Sequence, residues 1–302
     1  MENLVIPIEG KEIAITNPEK VLWPDLHITK LDYIKYLVSV SAHLLRYTKD
    51  RMLMMWCFPD GIDHQRIVHK AVPAHAPAWL PRWFYKDKSW ILINDVATLV
   101  WVANYAAIEL HVPFSLCDHV EYPTDLAFDL DPSDPDNFDL VLEVAFRLKE
   151  VLDSLSLHSV AKTSGATGIQ VFVPIESKYT FVETRVITKF IAEYLREKMP
   201  DKITLERRVQ NRGKKLYFDY LQLWRMRTLS AAYSVRATTS ASVSAPVTWA
   251  EVTSGFHPTD FTMLNMAQRV EKHGDLFMPI ASPSDRHGLD EILHFIKAKR
   301  HH

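Results

Sequence analysis

Between residues 125 and 224 the spacing of apolar residues switches repeatedly, and the order of those switches restricts the fold more than any other feature of the chain. The run TDLAFDLDP is apolar up to its acidic end and is followed by Pro132 and Pro135, so it reads as a strand and then a loop. Leu140, Val141, Val144, Leu148, Val151 and Leu155 then recur at helical spacing. HSVAKTSGATGIQVFVPI reads as a pair of strands joined by a glycine-containing turn, a second amphipathic helix covers about 181–199, and KKLYFDYLQLW is a further strand. The resulting order β-α-β-β-α-β is that of a split βαβ sheet with its helices on one face, an α+β arrangement.

Asp129 and Asp131 lie two apart on the first of these strands, so they project together while Leu130 points away. Like charges held side by side repel unless a cation lies between them. A divalent ion that prefers hard oxygen ligands is the natural counterion, and Asp219, in the FD pair of the last strand, is the third candidate ligand. If all three carboxylates face outward, the sheet sets them on neighbouring strands. Basic residues gather around the third one: Lys202, Arg207, Arg208, Arg212, Lys214, Lys215, Arg225 and Arg227 stand against only Asp201, Glu206 and Asp219. The formal net charge of −2 argues, though only weakly, against a nucleic-acid coat protein.

The remaining segments fill out an elaborated globular protein. IEGKEIAITNPEKVLWPDLHITKLDYIKYLVSVSAHLL predicts a short hairpin, a turn around Pro24 and a helix with Thr29 as N-cap. Met52 to Trp90 is rich in Trp and Pro and predicts strands and irregular loops. A helix capped by Asp95 or Thr98 is expected to run through TLVWVANYAAIEL and to stop near Leu110 ahead of Pro113, with His111 at its carboxyl end. ATTSASVSAPVTW has a linker's composition but carries apolar anchors at Val243, Val247 and Trp249, and GLDEILHFIKAKR predicts a closing helix. The final His301-His302 pair is expected to be a disordered end. Cys57 and Cys117 form no CxxC pair, which points to a reducing, cytoplasmic setting without a zinc site. No apolar run of about 20 residues could span a bilayer, and the amino terminus lacks the pattern of a secretory signal.

Taken together, NPEKVLWP, TLVWVANYAAIELHVP, DLAFDLDP, KTSGATGIQVFVP, FDYLQ and AAYSVRA…SVSAPVTW resemble the polymerase domain of bacterial ligase D proteins, a member of the archaeo-eukaryotic primase superfamily, from about residue 3 to residue 280. The resemblance implies a primase-like core with an RRM-like sheet and an N-terminal α/β elaboration over residues 1–280, followed by a helix and tail at 281–302. It implies a primase-polymerase that transfers nucleoside triphosphates to primer 3′ ends at gaps and double-strand breaks in non-homologous end joining. Asp129, Asp131 and Asp219 would be the catalytic ligands of Mn²⁺ or Mg²⁺ in a two-metal mechanism. Ser164, Gly165, Gly168 and Gln170 would meet the nucleotide along the turn, Arg212 and Arg236 its triphosphate, and His111 would lie near it. Lys20 and Lys30 match the pair that grips the 5′-phosphate of the downstream strand. Expected partners are DNA ends and gapped duplex, a separate DNA ligase and a Ku-like end-binding protein, with no membrane, in a nucleoid-associated bacterial cytoplasm.

The chain departs from the family at specific positions. Gln170 stands where a histidine is usual, Thr167 where a lysine is common in the turn, and Ile67 and Val68 where paired phenylalanines stack on template bases, a contact each worth roughly 1–3 kcal/mol. Met54, Met55 and Cys57 replace basic residues ahead of Pro59 and Gly61, and Leu223 replaces an asparagine. A catalytically weakened scaffold that binds DNA ends is therefore the rival reading, and a metal-dependent nuclease a third. HExxH, GxxxxGK[ST], GxSxG and the KxDG lysine motif are all missing, so the expected content is the polymerase module alone.

Overall fold

Thr29 begins the first long helix because its side chain and that of Asp32 satisfy each other's backbone. Thr29 Oγ1 accepts from the Asp32 amide at 3.2 Å and Asp32 Oδ2 accepts from the Thr29 amide at 3.0 Å, a reciprocal capping box. The computed structural model describes residues 4–299, so Arg300 of the expected closing helix and the His301-His302 pair lie outside the described residues. The chain forms two compact units. The first comprises residues up to Pro113 with Thr228–Ala245 and Thr259–Asp275, and the second comprises Phe114–Arg227, Pro246–Pro258 and the residues from Leu276 onward.

In the first unit, strands Leu4–Ile8 and Lys11–Ile15 form the expected hairpin, turning through Glu9 and Gly10 at φ of 50° and 74°. Helix Lys30–Thr48 buries Tyr33, Ile34, Tyr36, Leu37 and Val40, and its tyrosines also anchor it by hydrogen bonds: Tyr33 Oη donates to the Ala107 carbonyl at 2.7 Å and Tyr36 Oη to that of Tyr233 at 2.8 Å. An antiparallel sheet runs in the order Thr228–Ser230, Ala107–Pro113, Met54–Cys57, Ile67–His69.

The expected helix through Leu110 is shorter in the structure. The helix that Asp95 caps is only Val96–Asn104; Ala106 takes the left-handed conformation at φ 57°, and Ala107–Pro113 is a strand. His111 therefore sits on a strand and not at a helix end. An all-round apolar run is equally suited to a buried helix and to a strand buried on both faces, and here sheet partners on both sides decide in favour of the strand.

The second unit carries the split βαβ order. Its sheet runs Ile203–Thr204, Leu216–Asp219, Asp125–Asp131, Ile169–Pro174, Val160–Thr163, Pro246–Val247, with every neighbouring pair antiparallel except the first, which is parallel. Helices Phe138–Ser154 and Phe181–Lys198 both pack on the Asp125–Asp131 strand and touch each other, burying Val141, Val144, Leu148, Ile187, Ile191 and Leu195. Thr180 and Glu183 repeat the capping box at the start of the second of these helices. The linker-like ATTSASVSAPVTW segment ends by adding Pro246–Val247 to the edge of this sheet, and Trp249 Nε1 donates to the Ser159 carbonyl at 2.9 Å. The closing helix, Asp290–Lys299, lies against Phe181–Lys198, with Phe295 edge-on to Phe190 at 6.1 Å. Among the described residues no helix is long and apolar enough to cross a membrane.

Because the capping box satisfies amides that no turn of helix can reach, Thr29→Ala is expected to lower the unfolding free energy by about 1 kcal/mol, read from a shifted urea midpoint with an unchanged slope.

Candidate active site

The sheet register assembles the acidic site. Asp129 lies opposite Gln170 on one neighbouring strand and opposite Asp219 on the other, while Asp131 lies opposite Tyr217. Residues directly opposite in an antiparallel ladder share a face. Asp129, Gln170 and Asp219 therefore project together, with Asp131 two residues along on the same side, and Leu130 is fully buried on the other.

Asp129 is only 8% exposed, and its pKa is held well above the ordinary carboxylate range. Burial is the largest cause, and the charges of Asp131 and Asp219 add to it; the hydrogen bond from Gln170 and the charge of Lys162 work in the opposite direction. Individual oxygens are already engaged: Gln170 Nε2 donates to Asp129 Oδ1 at 3.0 Å and the Leu221 amide donates to Asp219 Oδ1 at 2.9 Å. Among the described residues no three His, Cys, Asp or Glu side chains are gathered closely enough to hold a metal as they stand. Mutual repulsion opposes such gathering, and a cation reverses it. The donor chemistry suits a hard divalent ion, since three carboxylates share one face and burial, with the charges of the other two, disfavours the ionised form of Asp129.

The Ser164–Gly168 turn lies against the end of the same strand. Its ends are tied by the Ser164 amide donating to the Gly168 carbonyl at 2.8 Å, and Ser164 Oγ accepts from the amides of Ala166 at 3.2 Å and Gly168 at 3.0 Å. Gly165 takes a positive φ of 73°. At Gly168 a Cβ would come within 2.4 Å of the Leu130 carbonyl oxygen and 3.2 Å of Asp131 Oδ1, so the turn depends on a residue without a side chain there. Arg212 belongs to the same unit; its guanidinium lies 3.8 Å from the centre of the Tyr217 ring and donates to the carbonyls of Glu206 and Arg207 at 3.0 and 2.9 Å.

His111 and Arg236 belong to the first unit, where they meet at Glu109. The Glu109 Oε2 atom is 2.9 Å from His111 Nε2 and 3.0 Å from Arg236 Nε, and Oε1 accepts from the Ala237 amide at 3.2 Å. Burial raises the Glu109 pKa, but the hydrogen bond from His111 and the charges of Arg236 and His111 outweigh it and leave the carboxyl below its ordinary range. The anion that Arg236 needs in its apolar surroundings is thus supplied by the protein. The indole of Trp56 stacks on His111 at 4.4 Å, and the Arg66 guanidinium lies 3.8 Å from the centre of that indole. Sequence reading missed Glu109, although its place two residues before His111 on a strand was the available signal.

Lys20 and Lys30 share a cavity of about 370 Å³ in the first unit, lined also by Asn17, His69 and Tyr105. Lys20 Nζ lies 2.8 Å from Asp60 Oδ1, whereas buried Lys30 donates to the Thr16 carbonyl at 2.6 Å. Burial, and secondarily the charge of Lys20, push the Lys30 pKa down to about 8.

The family model described as LigD, primase-polymerase domain, matches residues 29–277. The chain is 34% identical over 294 residues to the bifunctional non-homologous end joining protein LigD of Bacillus subtilis, covering 97% of this chain and 48% of that protein. It is 28% identical over 276 residues to the multifunctional LigD of Mycolicibacterium smegmatis, covering 89% of this chain and 36% of the relative. The chain thus spans half or less of the length of these relatives. A solved structure of the polymerase domain from Mycobacterium tuberculosis ligase D in complex with DNA superposes with a TM-score of 0.83 at 27% identity, covering 90% of this chain and 98% of that one.

The close approach at Gly168 yields a direct test. Gly168→Ala is expected to force the turn away from Leu130 and Asp131 and to cost roughly 1–3 kcal/mol, read as a lower Tm in thermal denaturation.

Proposed function

The chain belongs to the LigD primase-polymerase domain family, a nucleotidyltransferase type of enzyme, and from that premise we propose that it adds nucleoside triphosphates to primer 3′ ends at gaps and double-strand breaks during non-homologous end joining. The observation that carries this reading is the register that sets Asp129 opposite Asp219 with Asp131 on the same face. Asp129, Asp131 and Asp219 are assigned as ligands of Mn²⁺ or Mg²⁺, which when bound lowers the pKa of the primer 3′-hydroxyl and braces the triphosphate. Gln170 holds Asp129 in place. Ser164, Gly165 and Gly168 shape the turn beside the acidic strand and Arg212 offers a fixed guanidinium, so these are assigned to the nucleotide, as His111 and Arg236 are by family position.

Lys20 and Lys30 are assigned to the 5′-phosphate of the downstream strand, which their shared cavity can admit. A DNA ligase and a Ku-like end-binding protein are the proposed partners, and the bacterial nucleoid the proposed location. The rival reading of a weakened end-binding scaffold draws on the engaged oxygens of Asp129 and Asp219.

A single experiment separates these readings: a gapped duplex with a 5′-phosphate, a labelled primer, NTPs and Mn²⁺. Extension that disappears in Asp129→Ala is the expected result; binding without extension would establish the scaffold, and primer shortening a nuclease. Lys30 is cationic below its pKa of about 8 and loses its charge as pH rises through that value. Preference for a 5′-phosphorylated over an unphosphorylated gap, measured by fluorescence anisotropy, should therefore decline above pH 8 and be lost at every pH in Lys30→Met. A pH-independent preference would reject the assignment.

A further inference from the structure

A single row of side chains crosses the second unit's sheet on the acidic face. Lys162 is opposite Gln170, Gln170 is opposite Asp129, and Asp129 is opposite Asp219. The first three are almost wholly buried, at 2%, 3% and 8% exposure. Lys162 Nζ donates to Gln170 Oε1, and Gln170 Nε2 donates onward to Asp129 Oδ1 at 3.0 Å. The Phe172 ring also lies 5.7 Å from the ammonium.

The chemistry of this row is directional. A glutamine amide has two ends of nearly equal shape, one that accepts and one that donates, whereas an ammonium can only donate. Lys162 therefore dictates that the oxygen of Gln170 faces it, which leaves the NH₂ end no direction but toward Asp129. Burying a lysine is expensive unless its charge is compensated, and the acidic side chains of this row supply that compensation.

We propose that Lys162 is a positioning residue for the catalytic carboxylates, acting through Gln170 to keep an amide donor on Asp129 Oδ1 so that the remaining oxygen is presented to the divalent ion. The proposal rests on the reading of Asp129 as a metal ligand. Hydrogen-bond partners behind ligands generally orient them, and losing such a partner commonly weakens metal affinity ~10- to 100-fold.

The test is direct titration of Mn²⁺ into metal-free protein by calorimetry, with Tm measured alongside. Lys162→Met is expected to weaken Mn²⁺ binding ~10- to 100-fold; it also leaves Gln170 Oε1 without its donor and so lowers Tm, and the affinity is read at a temperature where the variant is folded. Lys162→Gln fills the same space with a group able to donate or accept, so it too should weaken binding, and it serves should Lys162→Met not fold. In a Gln170→Ala background, Lys162→Met should cost clearly less than it does alone, since the part of its effect that passes through the amide is already gone and only the direct charge effect on Asp129 is left. Wild-type affinity in both Lys162 variants, or losses that multiply in the double variant, overturns the proposal. If wild type itself fails to bind Mn²⁺, or Asp129→Ala binds equally well, the metal reading fails first and takes the proposal with it.

Discussion

A buried carboxylate in the middle of a sheet is the constraint around which the second unit is arranged. Asp129 is 8% exposed and faces a like charge across one strand boundary and an amide across the other. Isolated, such a group favours its neutral form. Everything around it redistributes that cost: Gln170 donates to one oxygen, Lys162 supplies a cation one strand further, and Gly168 lets a turn come close beside Asp131. The helices Phe138–Ser154 and Phe181–Lys198 pack on the Asp125–Asp131 strand and hold it in place.

The first unit solves the same problem differently. Glu109 is also nearly buried, yet it is paired with His111 and Arg236 and receives a backbone amide, so its pKa falls where that of Asp129 rises. The contrast lies in the neighbours. The hydrogen bond from His111 and the Arg236 guanidinium, each within 3.0 Å, outweigh the desolvation of Glu109, whereas Asp129 has carboxylates beside it and a cation only one strand further away. A carboxylate already paired is a poor ligand for an added ion, and one whose neighbours repel it is a good one.

Gln170, Ile67 and Val68, which the family resemblance in the sequence singles out, take on meaning within this arrangement. Gln170 carries no charge of its own, but its position between Lys162 and Asp129 joins a cation to the carboxylate. Ile67 and Val68 are exposed on the edge strand of the first unit, where they offer apolar surface but no ring. Trp56, on the neighbouring strand, stacks with His111 and Arg66.

Local patterning in the sequence was enough to give the βαββαβ order, the cap at Thr29, a choice between Asp95 and Thr98 for the next one, and the shared face of Asp129 and Asp131, because each follows from residues a few positions apart. Where His111 lies was decided only by the fold: TLVWVANYAAIELHVP carries no period that separates helix from buried strand, and the partners Met54–Cys57 and Thr228–Ser230 settle it from far along the chain. The same is true of Glu109 with Arg236 and of Lys162 with Gln170 and Asp129. Such pairings depend on strand order and register, which are global packing outcomes, so the type of each side chain could be read in advance while its partner could not.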